Sequence, residues 1–133
     1  MALWVDRQTD HLALALIKIL ATGNGVILLA DDNHHKALQT LAQTLVKNGI
    51  PKDLIKVASQ NIIEPLILSD KVDGWVVDGP QRDSIAHDLC MSEGAILPCL
   101  SANDDIERYV IERTRTIDTT AAGGNASLLA MIK

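Results

Sequence analysis

The sequence predicts an α/β domain built on a mostly parallel sheet, with helices packed against both of its faces. Three observations carry this expectation. Short apolar runs of β type alternate along the chain with amphipathic helical patterns. Two of those runs, Val26-Ile27-Leu28-Leu29 and Trp75-Val76-Val77, are apolar at every position, as strands covered on both faces must be. The segments between runs are long enough to cross over a sheet, and such crossovers join parallel neighbours with right-handed geometry.

Taken in order, Leu12, Leu16, Ile19 and Leu20 recur at helical spacing, and the Gly23-Asn24-Gly25 turn stops that helix before the strand at residues 26–29. In the next helix Ala37, Leu38, Leu41, Ala42, Leu45 and Val46 make one continuous apolar stripe. Gly49 and then Pro51 end it, a left-handed cap followed by a residue that cannot continue a helix. Residues 54–58 read as a strand. Pro65 is tolerated only in a first turn, so a short helix is expected to start close to it, ahead of a strand at residues 72–77. Pro80 then opens a helix to about Cys90, and residues 95–99 form a strand. Asp104 and Asp105 begin a helix that runs to about Arg113, and residues 115–119 read as a last short strand.

Composition bounds the function. A chain of 133 residues that is 47% hydrophobic can bury roughly two thirds of its unfolded surface as one domain. No apolar run reaches the ~20 residues that span a bilayer, and Lys18 interrupts the longest one. With no secretory signal in view, and with Cys90 and Cys99 reading as reduced thiols buried like small hydrophobes, a cytoplasmic setting is expected. A net charge of -5 and an aromatic content of 2% argue against a nucleic-acid surface, which needs clustered cations and stacking rings.

Residues 119–131 break the pattern. Gly123 and Gly124 loosen the backbone, Ala121, Ala122 and Ala126 keep its contour narrow, and Leu128, Leu129 and Met131 add apolar anchors. A flexible linker would be polar and would not end in a leucine pair. The stretch reads as an extended docking tail, with Thr119, Thr120, Ala121, Gly123, Gly124, Asn125, Leu128, Leu129 and Met131 as its contact residues. Strand addition would use the backbone of residues 116–122, with the leucines entering pockets.

The tail resembles the conserved C-terminal motif of proline utilization A, a bacterial flavin- and NAD-linked family that oxidises proline to glutamate. Upstream, residues 21–32 (ATGNGVILLADD) are similar to the first strand of the dinucleotide-binding domain in aldehyde dehydrogenases, and residues 45–57 (LVKNGIPKDLIKV) resemble the helix and strand that follow it there. The resemblance implies a Rossmann-like three-layer domain at residues 1–118, noncatalytic, followed by a docking motif at residues 119–133. It further implies a parent that carries FAD and NAD, with a proline dehydrogenase and a glutamate semialdehyde dehydrogenase outside this chain. The tail would dock on the catalytic dehydrogenase module, in cis or across a dimer, and help to seal the cavity through which the intermediate passes. As a piece of such a parent, the chain is expected to expose apolar surface around Trp4 and the tail.

The aldehyde-dehydrogenase pattern departs here where it would hold NAD. In that family a Lys-Pro-x-Glu run ends the first strand and holds the adenosine ribose. The corresponding run is Leu29-Ala30-Asp31-Asp32, so a charge-assisted hydrogen bond of about 1.5–3 kcal/mol is lost and Asp32 alone could accept from a ribose hydroxyl. The family's Gly-Ser pair at the pyrophosphate helix becomes Gly79-Pro80, and a proline has no N–H for a phosphate. Losing both contacts weakens binding by on the order of a hundredfold or more. Asp32 and Gly79 are what is left of a cofactor site, and the open alternatives are a residual NAD-binding module and a purely oligomerising element.

No catalytic residue is expected. Neither Cys90 nor Cys99 has the local sequence of that family's nucleophile, and Glu93-Gly94 keeps only two residues of its Glu-Leu-Gly-Gly base motif. No metal is expected either. His34 and His35 are adjacent rather than one turn apart and read as a solvent-exposed helix start. His11 and His87 have no partner legible in the sequence, and Cys90, three residues beyond His87, makes at most two ligands with it. The acidic pairs 31–32 and 104–105 suit loop and helix-capping roles and lack the spacing of a calcium loop.

Overall fold

The computed structural model describes residues 1–4, 9–69 and 71–110. Five strands are present there: β1 Ala2–Trp4, β2 Val26–Ala30, β3 Ile55–Ser59, β4 Trp75–Val77 and β5 Cys99–Leu100. They form one sheet in the order β3-β2-β1-β4-β5, and every pairing is parallel. Helices α1 Thr9–Ala21, α2 Asp32–Lys47, α3 Ile63–Ile67 and α4 Arg82–Met91 make the crossovers. The expected Rossmann-like α/β architecture is therefore present.

Alternation along each strand sorts the core into two layers. Leu3, Leu28, Ala30, Val76 and Leu100 face α1 and α2 and pack with Ala15, Leu16, Ile19 and Leu38. Ala2, Trp4, Leu29, Trp75 and Val77 face the other way and pack with Ile67 of α3 and with Ile85 and Leu89 of α4. Each fully buried large side chain contributes about 1.5–3 kcal/mol, and the registers Leu3↔Leu28 and Leu3↔Val76 align them in rows across the sheet.

Helix ends follow the sequence signals. Gly49 has φ +103° after α2, where its N–H reaches the Val46 carbonyl and the Ile50 N–H reaches that of Leu45. Gly23, with φ +78°, closes α1 by the same pair of bonds, from Gly23 to Leu20 and from Asn24 to Ile19.

Several expectations need correction. The sequence pattern does not predict β1, because three residues show no period, yet β1 is the central strand and the strand at residues 26–29 lies second. Trp4 is accordingly buried, 7% exposed, and not part of an open apolar surface. Leu54 belongs to a 3-10 turn that precedes β3. β4 starts at Trp75 rather than Val72, since Asp73 and Gly74 form its approach. β5 shrinks to two residues because Pro98 has no N–H to donate. α4 begins at Arg82, and Pro80 sits in the turn before it. In place of a helix running to about Arg113, a 3-10 turn spans Ile106–Tyr109. The rest of that helix, the strand at residues 115–119 and the whole tail lie outside the described residues. No helix among the described residues is long and apolar enough to cross a membrane.

The 3-10 turn is short because its neighbours pin it. Lys18 of α1 donates from Nζ to the Ala102 carbonyl at 2.7 Å and the Asp104 carbonyl at 2.6 Å, and its ammonium lies 5.8 Å from the Tyr109 ring centroid. The Tyr109 hydroxyl donates to the Ser101 carbonyl at 2.7 Å, while Asn24 Nδ2 donates to the Tyr109 carbonyl at 2.8 Å. Burial, with the Asp104 and Asp78 carboxylates, pushes the Tyr109 phenol up to about 12 from the usual 10.0. A raised acid of this kind stabilises the fold fully below pH 10.0 and ceases to do so as pH climbs toward 12. Tyr109 is the chain's single tyrosine, so near-ultraviolet tyrosinate absorbance of the folded chain should rise near pH 12 rather than near pH 10.0, and earlier only where alkaline unfolding sets in. Tyr109→Phe should remove the tyrosine's share of stability loss in that window, and an unchanged alkaline slope would contradict the assignment.

A candidate crevice at the carboxyl edge of the sheet

In an open parallel sheet, ligands enter where neighbouring strands send their connections to opposite sides. Here that switch point lies between β1, whose chain leaves through α1 toward β2, and β4, whose chain leaves through α4 toward β5. The loop after Trp4, residues 5–8, lies outside the described residues. The wall on the β4 side is fully described and is polar.

Asp78 follows β4 directly, and Gly79 turns the chain away with φ +90°. The Asp78 carboxylate accepts from Ser101 Oγ at 2.6 Å through Oδ1 and from the Ala102 N–H at 3.0 Å through Oδ2. His11, in the first turn of α1, places Nδ1 3.5 Å from Oδ2. That nitrogen is buried and has no hydrogen-bond partner among the described residues. Ser101 Oγ also accepts from the Asn103 N–H at 3.2 Å, and the Asp104 carboxylate accepts from the Ser101 N–H at 2.8 Å. Ser101 donates toward a carboxylate and not toward a histidine, so the trio lacks the order of a nucleophilic triad, in which the base must hold the hydroxyl.

On the other flank, β2 ends against the start of α2. Leu29, at the position of the family lysine, is fully buried between Trp4 and Ala58 in the register of the sheet. Asp31 caps α2: its Oδ1 accepts the His34 N–H at 2.9 Å and lies 2.6 Å from His34 Nδ1. The His34 N–H bond, then the His34 ring, holds the Asp31 carboxyl below its usual range. Asp32 is exposed in the first turn of α2. Gly79 lies at the end of β4, two strands away, about 10 Å at the spacing of a sheet. The two positions expected from the resemblance thus lie at the ends of β2 and β4, with β1 between those strands.

Other expectations resolve as follows. Cys90 is exposed at the end of α4, contrary to the reading of a buried hydrophobe, while Cys99 is half-buried in β5 and burial raises its thiol. His34 and His35 are part-exposed at the start of α2, where one pairs with Asp31 and the other approaches Gln39 at 3.0 Å. Asp105 occupies the capping position of the 3-10 turn without a side-chain cap, and Asp104 instead pairs with Arg108 at 2.9 Å. Glu93 is exposed in the turn ahead of β5, at the opposite edge of the sheet. No group of three or more potential metal ligands occurs among the described residues. Residues Thr119 to Met131, expected as a docking tail, lie outside them. The sequence reading missed His11, Asp78 and Ser101; the one available signal was an Asp-Gly turn directly after an apolar strand.

No protein-family model, curated protein or solved structure matches this chain.

The Asp31 cap carries a pH signature. A depressed carboxyl stabilises the fold above its unfolded value of 3.8 and loses that effect as pH falls through the lower folded value. Asp31→Ala should lower the melting temperature at neutral pH, and the gap to the parent sequence should close below pH 3.8. A gap independent of pH would show that the carboxylate is not what matters.

Proposed function

We infer that this chain is the noncatalytic, aldehyde-dehydrogenase-like domain of a bifunctional proline-catabolic enzyme, standing over its glutamate semialdehyde dehydrogenase module and helping to close the cavity between the two active sites. The observation that carries this reading is the tail sequence, residues 119–131, a narrow segment with terminal apolar anchors that resembles the proline utilization A motif. The parallel sheet supports it as the kind of domain that should precede such a tail. FAD and NAD belong to the parent, and this chain holds neither.

The crevice favours the noncatalytic reading over residual NAD binding. A core leucine stands at the family's lysine position. Asp78 sets a negative charge at the switch point, where a pyrophosphate would arrive, and Asp31 already consumes an N–H at the start of α2. A reactive aldehyde is retained only if its route excludes bulk water, and a packed domain with a small-residue tail can close such a route. The partner is therefore the dehydrogenase module, reached in cis or across a dimer.

Titration of the chain with NAD to about millimolar concentration should leave its amide NMR spectrum unchanged, as expected when contacts worth on the order of a hundredfold are missing. Saturable shifts at residues 29–32 and 79–84 would refute the noncatalytic reading. In the parent enzyme, removal of residues 119–133 should preserve particle size while introducing a lag in NADH formation and release of pyrroline-5-carboxylate. A smaller particle without leakage would make the tail an assembly element instead.

A further inference from the structure

Three hydrogen-bonding groups converge on one carboxylate at the switch point, and the carboxylate belongs to the chain itself. Ser101 Oγ and the Ala102 N–H donate to the two oxygens of Asp78 at 2.6 and 3.0 Å, and His11 Nδ1 lies 3.5 Å from the second. The converging groups come from two separate elements, the first turn of α1 and the loop after β5, and the carboxylate that they meet follows β4. The donors are held from behind. Lys18 fixes the carbonyls of Ala102 and Asp104, Tyr109 donates to the Ser101 carbonyl, and the Asp104 carboxylate takes the Ser101 N–H. A fixed hydroxyl and a fixed amide that meet at one point, with an imidazole nitrogen 3.5 Å away, are the parts of an oxyanion site, preorganised so that an anion arriving there reorders little.

We propose that His11, Ser101 and the Ala102 amide form an anion cradle and that Asp78 is its built-in occupant, closing the crevice to carboxylate and phosphate ligands. The carboxylate satisfies both fixed donors and adds its own charge, so an incoming anion meets repulsion and finds neither of those two donors free. Residues at the same position of other parallel sheets leave such donors to the ligand; here a side chain takes them. The inference does not depend on the proposed role, because it concerns only groups within this domain.

Chemical rescue tests it. In the full 133-residue chain, Asp78→Ala empties the cradle without moving its donors. Its melting temperature should fall below that of the parent sequence in chloride. It should then rise by about 4 °C or more in about 100 mM acetate or formate at matched ionic strength, as mass action requires for millimolar affinity. The parent sequence should not distinguish acetate from chloride, and Ser101→Ala in the Asp78→Ala background should abolish the response. Inorganic phosphate as a parallel titrant shows whether the cradle takes tetrahedral as well as planar anions, and rescue by either supports the proposal. A folded Asp78→Ala chain that ignores all three anions overturns it, as does a rescue that survives loss of Ser101 Oγ. If Asp78→Ala is unfolded in chloride, acetate must restore its helical circular dichroism, and failure to do so overturns the proposal equally.

Discussion

The sheet depends on three residues. Ala2, Leu3 and Trp4 pair with β2 on one side and β4 on the other, and without them the two halves of the sheet, β2-β3 and β4-β5, share no hydrogen bonds. The same three side chains divide between the two core layers, Leu3 beneath α1 and α2 and Trp4 beneath α3 and α4. A strand this short cannot specify its place through its own propensity. It is held by the longer apolar strands beside it, whose residues are buried on both faces and leave one register in which Leu3 and Trp4 meet apolar partners.

Position in the centre also makes β1 the origin of the crevice. Because its crossover leaves toward β2 and that of β4 toward β5, their carboxyl ends part, and polar groups from α1, β4 and the β5 loop meet there. The β5 loop would be the weak member, since β5 itself has only two residues. Lys18 compensates. Its ammonium takes two carbonyls of that loop, a pair of charge-assisted bonds of about 1.5–3 kcal/mol each before solvent screening. The residue that interrupts the longest apolar run of the sequence is thus the one that holds Ala102 and Asp104 in place.

Much of the architecture was legible because its signals are local. The apolar stripe of α2, the glycines that end α1 and α2, and the fully apolar runs of β2 and β4 each carry their own evidence within a single element. What escaped was set by distant partners. β1 is a strand because of β2 and β4, and the turn at Ile106–Tyr109 is not a longer helix because Lys18 and Asn24 capture its surroundings from more than eighty positions away. The crevice was half legible for the same reason. Asp32 and Gly79 could be singled out from a resemblance to a motif, whereas His11, Asp78 and Ser101 have no common pattern in sequence and meet only through the topology.

An internally completed crevice has a thermodynamic consequence for a domain whose proposed task is to close a cavity. A fold whose donors await a ligand gains stability with ligand concentration, by about 2.7 kcal/mol at a hundredfold excess over the dissociation constant. Its rigidity, and any surface it presents, then follow the supply of that ligand. Asp78 and Asp31 remove this dependence by satisfying the donors from within. Under the proposed reading such a domain would have no stability linked to the supply of NAD. On that reading the constancy would suit a wall of a reaction chamber better than a cofactor site, because such a wall would have to stay closed while a neighbouring module exchanged NAD.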